Sequence, residues 1–142
     1  MPIDRKVYQI KTASQMENLG KEIASAFVGG EVVLLTGELG AGKTVFCKGL
    51  AKGLGIDAPV VSPTFTLMNE YFGRVKFCHF DAYRLADSDE AYAAGLGDFI
   101  GDPSSVCAVE WWENVPDMFD GCKTIRVRID KTDYGREVAI DK

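Results

Sequence analysis

The stretch Gly37-Glu38-Leu39-Gly40-Ala41-Gly42-Lys43-Thr44 satisfies G-x-x-x-x-G-K-[ST] at every position, and its flanks are as informative as the motif. Ahead of it, Val32-Val33-Leu34-Leu35 is a continuous aliphatic run of the kind that fills a strand buried on both faces of a parallel sheet. Behind it, Phe46, Leu50 and Leu54 recur at helical spacing up to Gly55. A glycine-rich turn between a buried strand and a helix commits the chain to an α/β arrangement. The glycines let backbone N–H groups converge on a phosphate chain, Lys43 adds a point charge, Thr44 a hydroxyl suited to Mg²⁺, and the helix its positive N-terminal dipole. Gly37, Glu38, Leu39, Gly40, Ala41, Gly42, Lys43 and Thr44 are therefore candidate nucleotide-binding residues, with Thr12 added to them. Lys43 is also a candidate catalytic group and Thr44 a candidate metal ligand.

The remaining segments supply the sheet and helices that such a loop needs. Val7 to Ile10 reads as a short strand, and Thr12-x-x-Gln15 as a capping box before a helix with Met16, Leu19, Ile23, Ala26 and Phe27 on one face, ending near Gly29-Gly30. Phe65 to Phe72 and Val75 to Phe80 read as strands joined in a hairpin at Gly73-Arg74. Asp87-Ser88 can cap a short acidic helix through Ala91 to Ala94, and Gly95 and Gly97 break the helical pattern after it. Val106 to Val109 is another short buried strand. Ile125, Val127 and Ile129 alternate with Arg126 and Arg128, and Val138 to Ile140 come after the Tyr134-Gly135 turn, as in a closing antiparallel pair with one wet face. No repeat or linker interrupts the 142 residues. The expectation is one domain spanning 1–142: a phosphate-loop α/β fold with a central mixed, mainly parallel sheet, flanking helices and an antiparallel hairpin.

A phosphate loop needs acids for metal and water, conventionally at the end of a neighbouring apolar strand. Asp81 ends the run Val75-Lys76-Phe77-Cys78-His79-Phe80, and Glu110 ends Val106-Cys107-Ala108-Val109, so both should emerge at the carboxyl edge of the sheet. Asp81 and Glu110 are candidate catalytic residues and, with Thr44, candidate metal ligands; which of the two positions a water is left open. Ser62-Pro63-Thr64 could sense a terminal phosphate, or simply lead into a strand. His79 reads as a packed residue behind such a site. Tyr83 and Arg84 lie just after Asp81, Arg84 fitting either a partner for the acids or a surface ion pair. Trp111 and Trp112 cannot both face inward from one strand end, so at least one should be half exposed near the nucleotide or a partner.

Sixteen basic residues against twenty-one acidic ones give a formal charge of −5, which disfavours direct binding of nucleic acid or anionic lipid. The acidity is local. Residues 85–122 hold nine acids and no Lys or Arg, which leaves a mildly basic remainder. Cys47, Cys78, Cys107 and Cys122 form no C-x-x-C pair and have only His79 to help them, which argues against zinc and for reduced thiols in a cytoplasmic protein. Asp4, Arg5 and Lys6 interrupt the first residues, and no apolar run approaches eighteen, so neither a signal peptide nor a membrane span is expected.

Taken together, Gly-Glu-Leu-Gly-Ala-Gly-Lys-Thr (37–44), Ser-Pro-Thr-Phe-Thr-Leu (62–67), His-Phe-Asp-Ala-Tyr-Arg-Leu (79–85) and Val-Glu-Trp (109–111) resemble the TsaE (YjeE) family in order and spacing. That resemblance runs from the capped first helix to the strand at Gly135-Arg136. It implies an ATPase of the threonylcarbamoyl-adenosine tRNA modification pathway, using ATP and Mg²⁺ and acting on a complex of TsaD and TsaB, with tRNA met only through that complex. It further implies that Lys43 and Thr44 hold phosphates and Mg²⁺, Glu110 lies at metal and water, Asp81 is the acid of the His-x-Asp segment, Ser62-Pro63-Thr64 responds to nucleotide, and Trp111 lies close by. Many members carry a proline after the Glu-Trp pair, where this chain has Trp112. The acidic segment would suit a basic protein face. A small-molecule kinase is the alternative, but residues 85–122, long enough for a lid, contain no arginine. A GTP-driven switch lacks an Asn-Lys-x-Asp segment; Lys131-Thr132-Asp133 is the nearest approach.

Overall fold

The computed structural model describes residues 4–38, 40–63 and 66–142. Its elements in chain order are β1 (Arg5–Ile10), α1 (Ala13–Ser25), β2 (Glu31–Thr36), α2 (Lys43–Gly53), β3 (Met68–Phe72), β4 (Lys76–Asp81), α3 (Ser88–Ala93), β5 (Ser105–Glu110), β6 (Lys123–Thr132) and β7 (Gly135–Asp141). Three short 3-10 turns, at Leu96–Asp98, Trp112–Asn114 and Pro116–Phe119, complete the described chain. The strands form one sheet in the order β1-β7-β6-β2-β5-β4-β3. Parallel pairing joins β6, β2, β5 and β4, and the outer pairings, β1 with β7, β7 with β6, and β3 with β4, are antiparallel. The mixed sheet is thus parallel at its centre, where the aliphatic runs lie, and antiparallel toward both edges.

Strand alternation divides the core into two layers. Val33 and Leu35 point to the layer shared with Phe46, Leu50, Phe77, Ile125, Val127 and Ile129, which α1 and α2 cover. Val32 and Leu34 point the other way, onto Phe80, Cys107, Val109 and Phe119, a layer closed by α3 and the 3-10 turns of the acidic segment. Each fully buried Val, Leu or Phe of these layers contributes roughly 1.5–3 kcal/mol relative to exposure. All four cysteines are free, and no described helix is long and apolar enough to cross a membrane.

Local signals account for most boundaries. Thr12 caps α1 by accepting the Gln15 N–H at 3.1 Å, and Gln15 Oε1 returns to the Lys11 N–H at 2.7 Å, one residue upstream of the usual capping-box partner. Asp87 caps α3 through the Glu90 N–H at 3.0 Å. Two expectations shift. Helix α1 stops at Ser25, and Ala24, not Ala26, is the buried position, because the α1 face packs on α2 through glycine. A Cβ at Gly49 would lie 2.0 Å from Glu17 O, and one at Gly53 would lie 2.7 Å from the Ala24 Cβ, so the two helices approach more closely than side chains allow. The strand expected from Phe65 begins only at Met68: Thr66 and Leu67 turn back onto Pro63 O, at 3.1 and 2.9 Å, and Leu67 sits at φ 69°. Thr64 and Phe65 lie outside the described residues, as does Leu39.

Arg74, at the hairpin, ties these helices to the sheet. Its guanidinium donates to Ala24 O at 2.7 Å and to Gly53 O at 3.3 Å, so one cation serves the carboxyl ends of both α1 and α2.

Candidate functional site

Strand β2 ends at Thr36 and helix α2 starts at Lys43, so residues 37–42 form the connection at the carboxyl edge of the parallel strands. Two of its glycines are required by conformation: Gly40 at φ 79° and Gly42, the residue before α2, at φ 117°. Gly37 is required by space, since a Cβ there would meet Ile129 O at 2.9 Å. The loop therefore wraps tightly against β6 and presents the free end of α2.

Strand register brings the two acids beside it. Asp81 and Glu110 are direct partners at the ends of β4 and β5, and Glu110 also pairs with Leu35 of β2. Both are buried. Lys43 Nζ stands 3.3 Å from Glu110 Oε1, and His79 Nε2 stands 2.8 Å from Glu110 Oε2. With a carboxylate as partner, that histidine nitrogen carries the hydrogen. Burial works against the Glu110 charge, but the hydrogen bond and charge of His79, then the charge of Lys43, hold its carboxyl below the ordinary value. Burial also disfavours charge on His79, yet the Cys47 sulfur, 3.6 Å away, and the Glu110 carboxylate together raise it to about 10. Its ring stacks on Phe77, and its Nδ1 is buried without a partner among the described residues. Asp81 Oδ1 accepts the Tyr83 N–H at 2.9 Å, which fixes one oxygen of that carboxylate.

Lys43, Thr44, Asp81 and Glu110 line one cleft of about 520 Å³ together with Gly40, Gly42, Ser62, Tyr83 and Trp111. Trp111 takes a left-handed backbone (φ 58°) at the end of β5, and this separates the two indoles. Trp111 turns to the cleft mouth, 45% exposed, with its ring edge to Tyr83 at 5.0 Å between centroids. Trp112 turns back to the sheet, donating from Nε1 to Thr36 Oγ1 at 3.1 Å and lying under Arg126. The expectation of one half-exposed indole is met by Trp111.

Not every candidate shares that cleft. Thr12 and Ala41 line a second hollow of about 240 Å³ on the other side of the loop, with Met16, Gly135 and Arg136, and among the described residues only Gly40, Gly42 and Val45 belong to both. Gly37 and Glu38 face a third hollow with Arg128 and Asp130, which Lys43 and Trp111 also border. Leu39 and Thr64 lie outside the described residues. Among the described residues no three His, Cys, Asp or Glu side chains form a metal cage. The Thr44 hydroxyl and the Asp81 and Glu110 carboxylates are hard oxygen donors of the kind Mg²⁺ takes, and the Lys43 ammonium is a cation of the kind that pairs with phosphate oxygens. Sequence reasoning missed Arg136 and Lys131, which reach the loop from β7 and β6; neither belongs to a local pattern that could have marked it.

A model of the family described as threonylcarbamoyl adenosine biosynthesis protein TsaE matches residues 10–138. The chain belongs to the TsaE family. It is 37% identical over 131 residues to the tRNA threonylcarbamoyladenosine biosynthesis protein TsaE of Treponema pallidum, covering 92% of this chain and 96% of that one. To the Aquifex aeolicus TsaE it is 48% identical over 98 residues, 67% of this chain and 68% of the relative. The crystal structure of Bacillus subtilis YdiB superposes with a TM-score of 0.79 at 28% identity, covering 99% of this chain and 87% of that one. TsaE membership places the chain in tRNA threonylcarbamoyladenosine biosynthesis, as a P-loop ATPase-type protein.

Proposed function

We propose that this TsaE-family chain binds ATP with Mg²⁺ in the cleft between the glycine loop and the acids, hydrolyses it weakly alone, and couples hydrolysis to a complex of TsaD and TsaB in the cytoplasm. The observation that carries this reading is convergence: Lys43 and Thr44 at the head of α2 and Asp81 and Glu110 on adjacent strand ends border one cleft. What the nucleotide and Mg²⁺ bring is a phosphoanhydride bond and a countercharge for its oxygens.

The chain's own residues would do the rest. Loop amides and Lys43 would bind and orient the phosphates, and Lys43 would exchange its contact with Glu110 for them. Thr44 and Asp81 would hold the metal, the second Asp81 oxygen being left for it while Tyr83 fixes the first. Glu110, kept ionised by His79 and Lys43, would lie at metal and water and orient the attacking water. Trp111 and Tyr83 would shield the cleft mouth, and Ser62 would respond to the terminal phosphate. The hollow with Thr12 continues past the loop and would take the nucleoside end.

ATP turnover measured with and without purified TsaD and TsaB tests the reading. Stimulation by the pair supports it; equal rates would remove the coupling, and no binding of ATP would remove the whole. Competition of GTP against ATP, monitored by tryptophan emission, decides the base.

A further inference from the structure

We propose that Arg136 is the positioning residue of the phosphate loop: from the far end of the chain its guanidinium holds two loop carbonyls and so sets the direction of the amides beside them. Arg136 Nε donates to Ala41 O at 2.9 Å and Nη2 to Gly40 O at 3.3 Å, while Nη1 donates to Gly135 O at 2.9 Å. In a trans peptide the C=O and the following N–H point in opposite directions. Holding the Gly40 carbonyl therefore turns the Ala41 N–H away from Arg136, and that N–H donates to Glu38 O at 3.0 Å. Holding the Ala41 carbonyl turns the Gly42 N–H away in the same manner, directly ahead of α2.

Glycine makes this restraint necessary. Gly40 and Gly42 have no Cβ to limit rotation of the adjoining peptide planes, and a carbonyl that rotated inward would set its negative end against a phosphate oxygen. A planar fork spans two carbonyls at once, which a lysine ammonium on a flexible stem does not. Strand register delivers the fork. Arg136 stands opposite Ile10 in β1 and Lys131 in β6, and Gly135 lets the end of β1 pass, since a Cβ there would lie 2.2 Å from Ile10 O.

The inference rests on the phosphate reading of the cleft, and the experiment separates the two. The full chain, Arg136→Ala and Arg136→Lys are compared by hydrogen exchange of the loop amides without ligand, and by titration with ATP and with inorganic triphosphate in the presence of Mg²⁺. Loss of two hydrogen bonds should speed exchange at Ala41, whose N–H rests on Glu38 O, about tenfold in both variants, with β2 still protected, and weaken ATP and triphosphate alike by about tenfold. Unchanged loop exchange, or a lysine variant that behaves as the native chain, would overturn the clamp. Weaker ATP binding with triphosphate untouched would also overturn it, placing Arg136 against the nucleoside. If Arg136→Ala loses protection throughout the sheet, the lysine variant carries the comparison. A native chain that binds neither ligand would sink the phosphate reading, while the exchange data would still decide the clamp.

Discussion

On the loop side of the cleft, the groups that would meet a ligand are backbone amides, set by glycine conformations and seated against β6 and Arg136. On the acid side they are two carboxylates at the ends of β4 and β5, Glu110 held from behind by the buried His79 and Asp81 by the Tyr83 N–H. A backbone site is a property of a few consecutive residues. A side-chain site is a property of register, because Asp81 and Glu110 meet only if two separate strands pair in phase. The two sides should therefore fail differently: the loop side in affinity, the acid side in turnover.

The largest effect is expected on the acid side. Glu110→Gln keeps the shape of the cleft but removes the charge that would orient water, and should lower ATP turnover by about 10²–10⁴-fold with ATP still bound. A steady-state rate in the assembled complex beside an equilibrium titration checks it; full activity would pass the role to Asp81. On the loop side, Lys43→Ala should weaken ATP by about 100-fold, equivalent to about 2.7 kcal/mol, and loss of turnover without loss of binding would break the contrast.

His79→Phe sharpens the comparison further. It preserves the stack on Phe77 and removes both the contact to Glu110 and the unpartnered buried Nδ1. Turnover should fall about tenfold with ATP affinity held, and the thermal midpoint should fall as well, because the substitution leaves the buried Glu110 Oε2 without its partner. A falling midpoint with normal turnover would make His79 a packing residue only. The smallest effect on the chemistry should come from Gly49→Ala, remote from the acids. Its Cβ would press on Glu17 O, so stability should drop by about 1–3 kcal/mol on thermal or urea unfolding, with turnover per folded molecule unchanged. A change in nucleotide affinity in that variant would mean that the α1–α2 contact is felt at the loop.

Legibility divided along the same line. The glycine loop, the strand before it and the helix after it were readable because each is set by neighbouring residues, and the acids were readable because each ends an apolar run. The late start of β3 was hidden, because the turn that Thr66 and Leu67 make onto Pro63 has no glycine to announce it, Leu67 taking the positive φ instead. The buried position at Ala24 was hidden for another reason: it continues the Gly20 side of α1, where small residues let α2 approach and no large apolar side chain marks the contact. Arg74 and Arg136 were invisible as well. Each acts on carbonyl oxygens, which every residue has and no sequence marks.

Residue types and spacing determined that this chain builds a phosphate loop between a buried strand and a helix, that two carboxylates stand at strand ends, and that four cysteines have no partner pattern. They could do so because conformation and alternation act over a few residues. Only the tertiary structure decided that β7 lies between β1 and β6, bringing Arg136 to the loop, and that His79 lies behind Glu110 with Lys43 in front. Those contacts join residues far apart in sequence, and the burial and strand register that create them exist only once the sheet has closed.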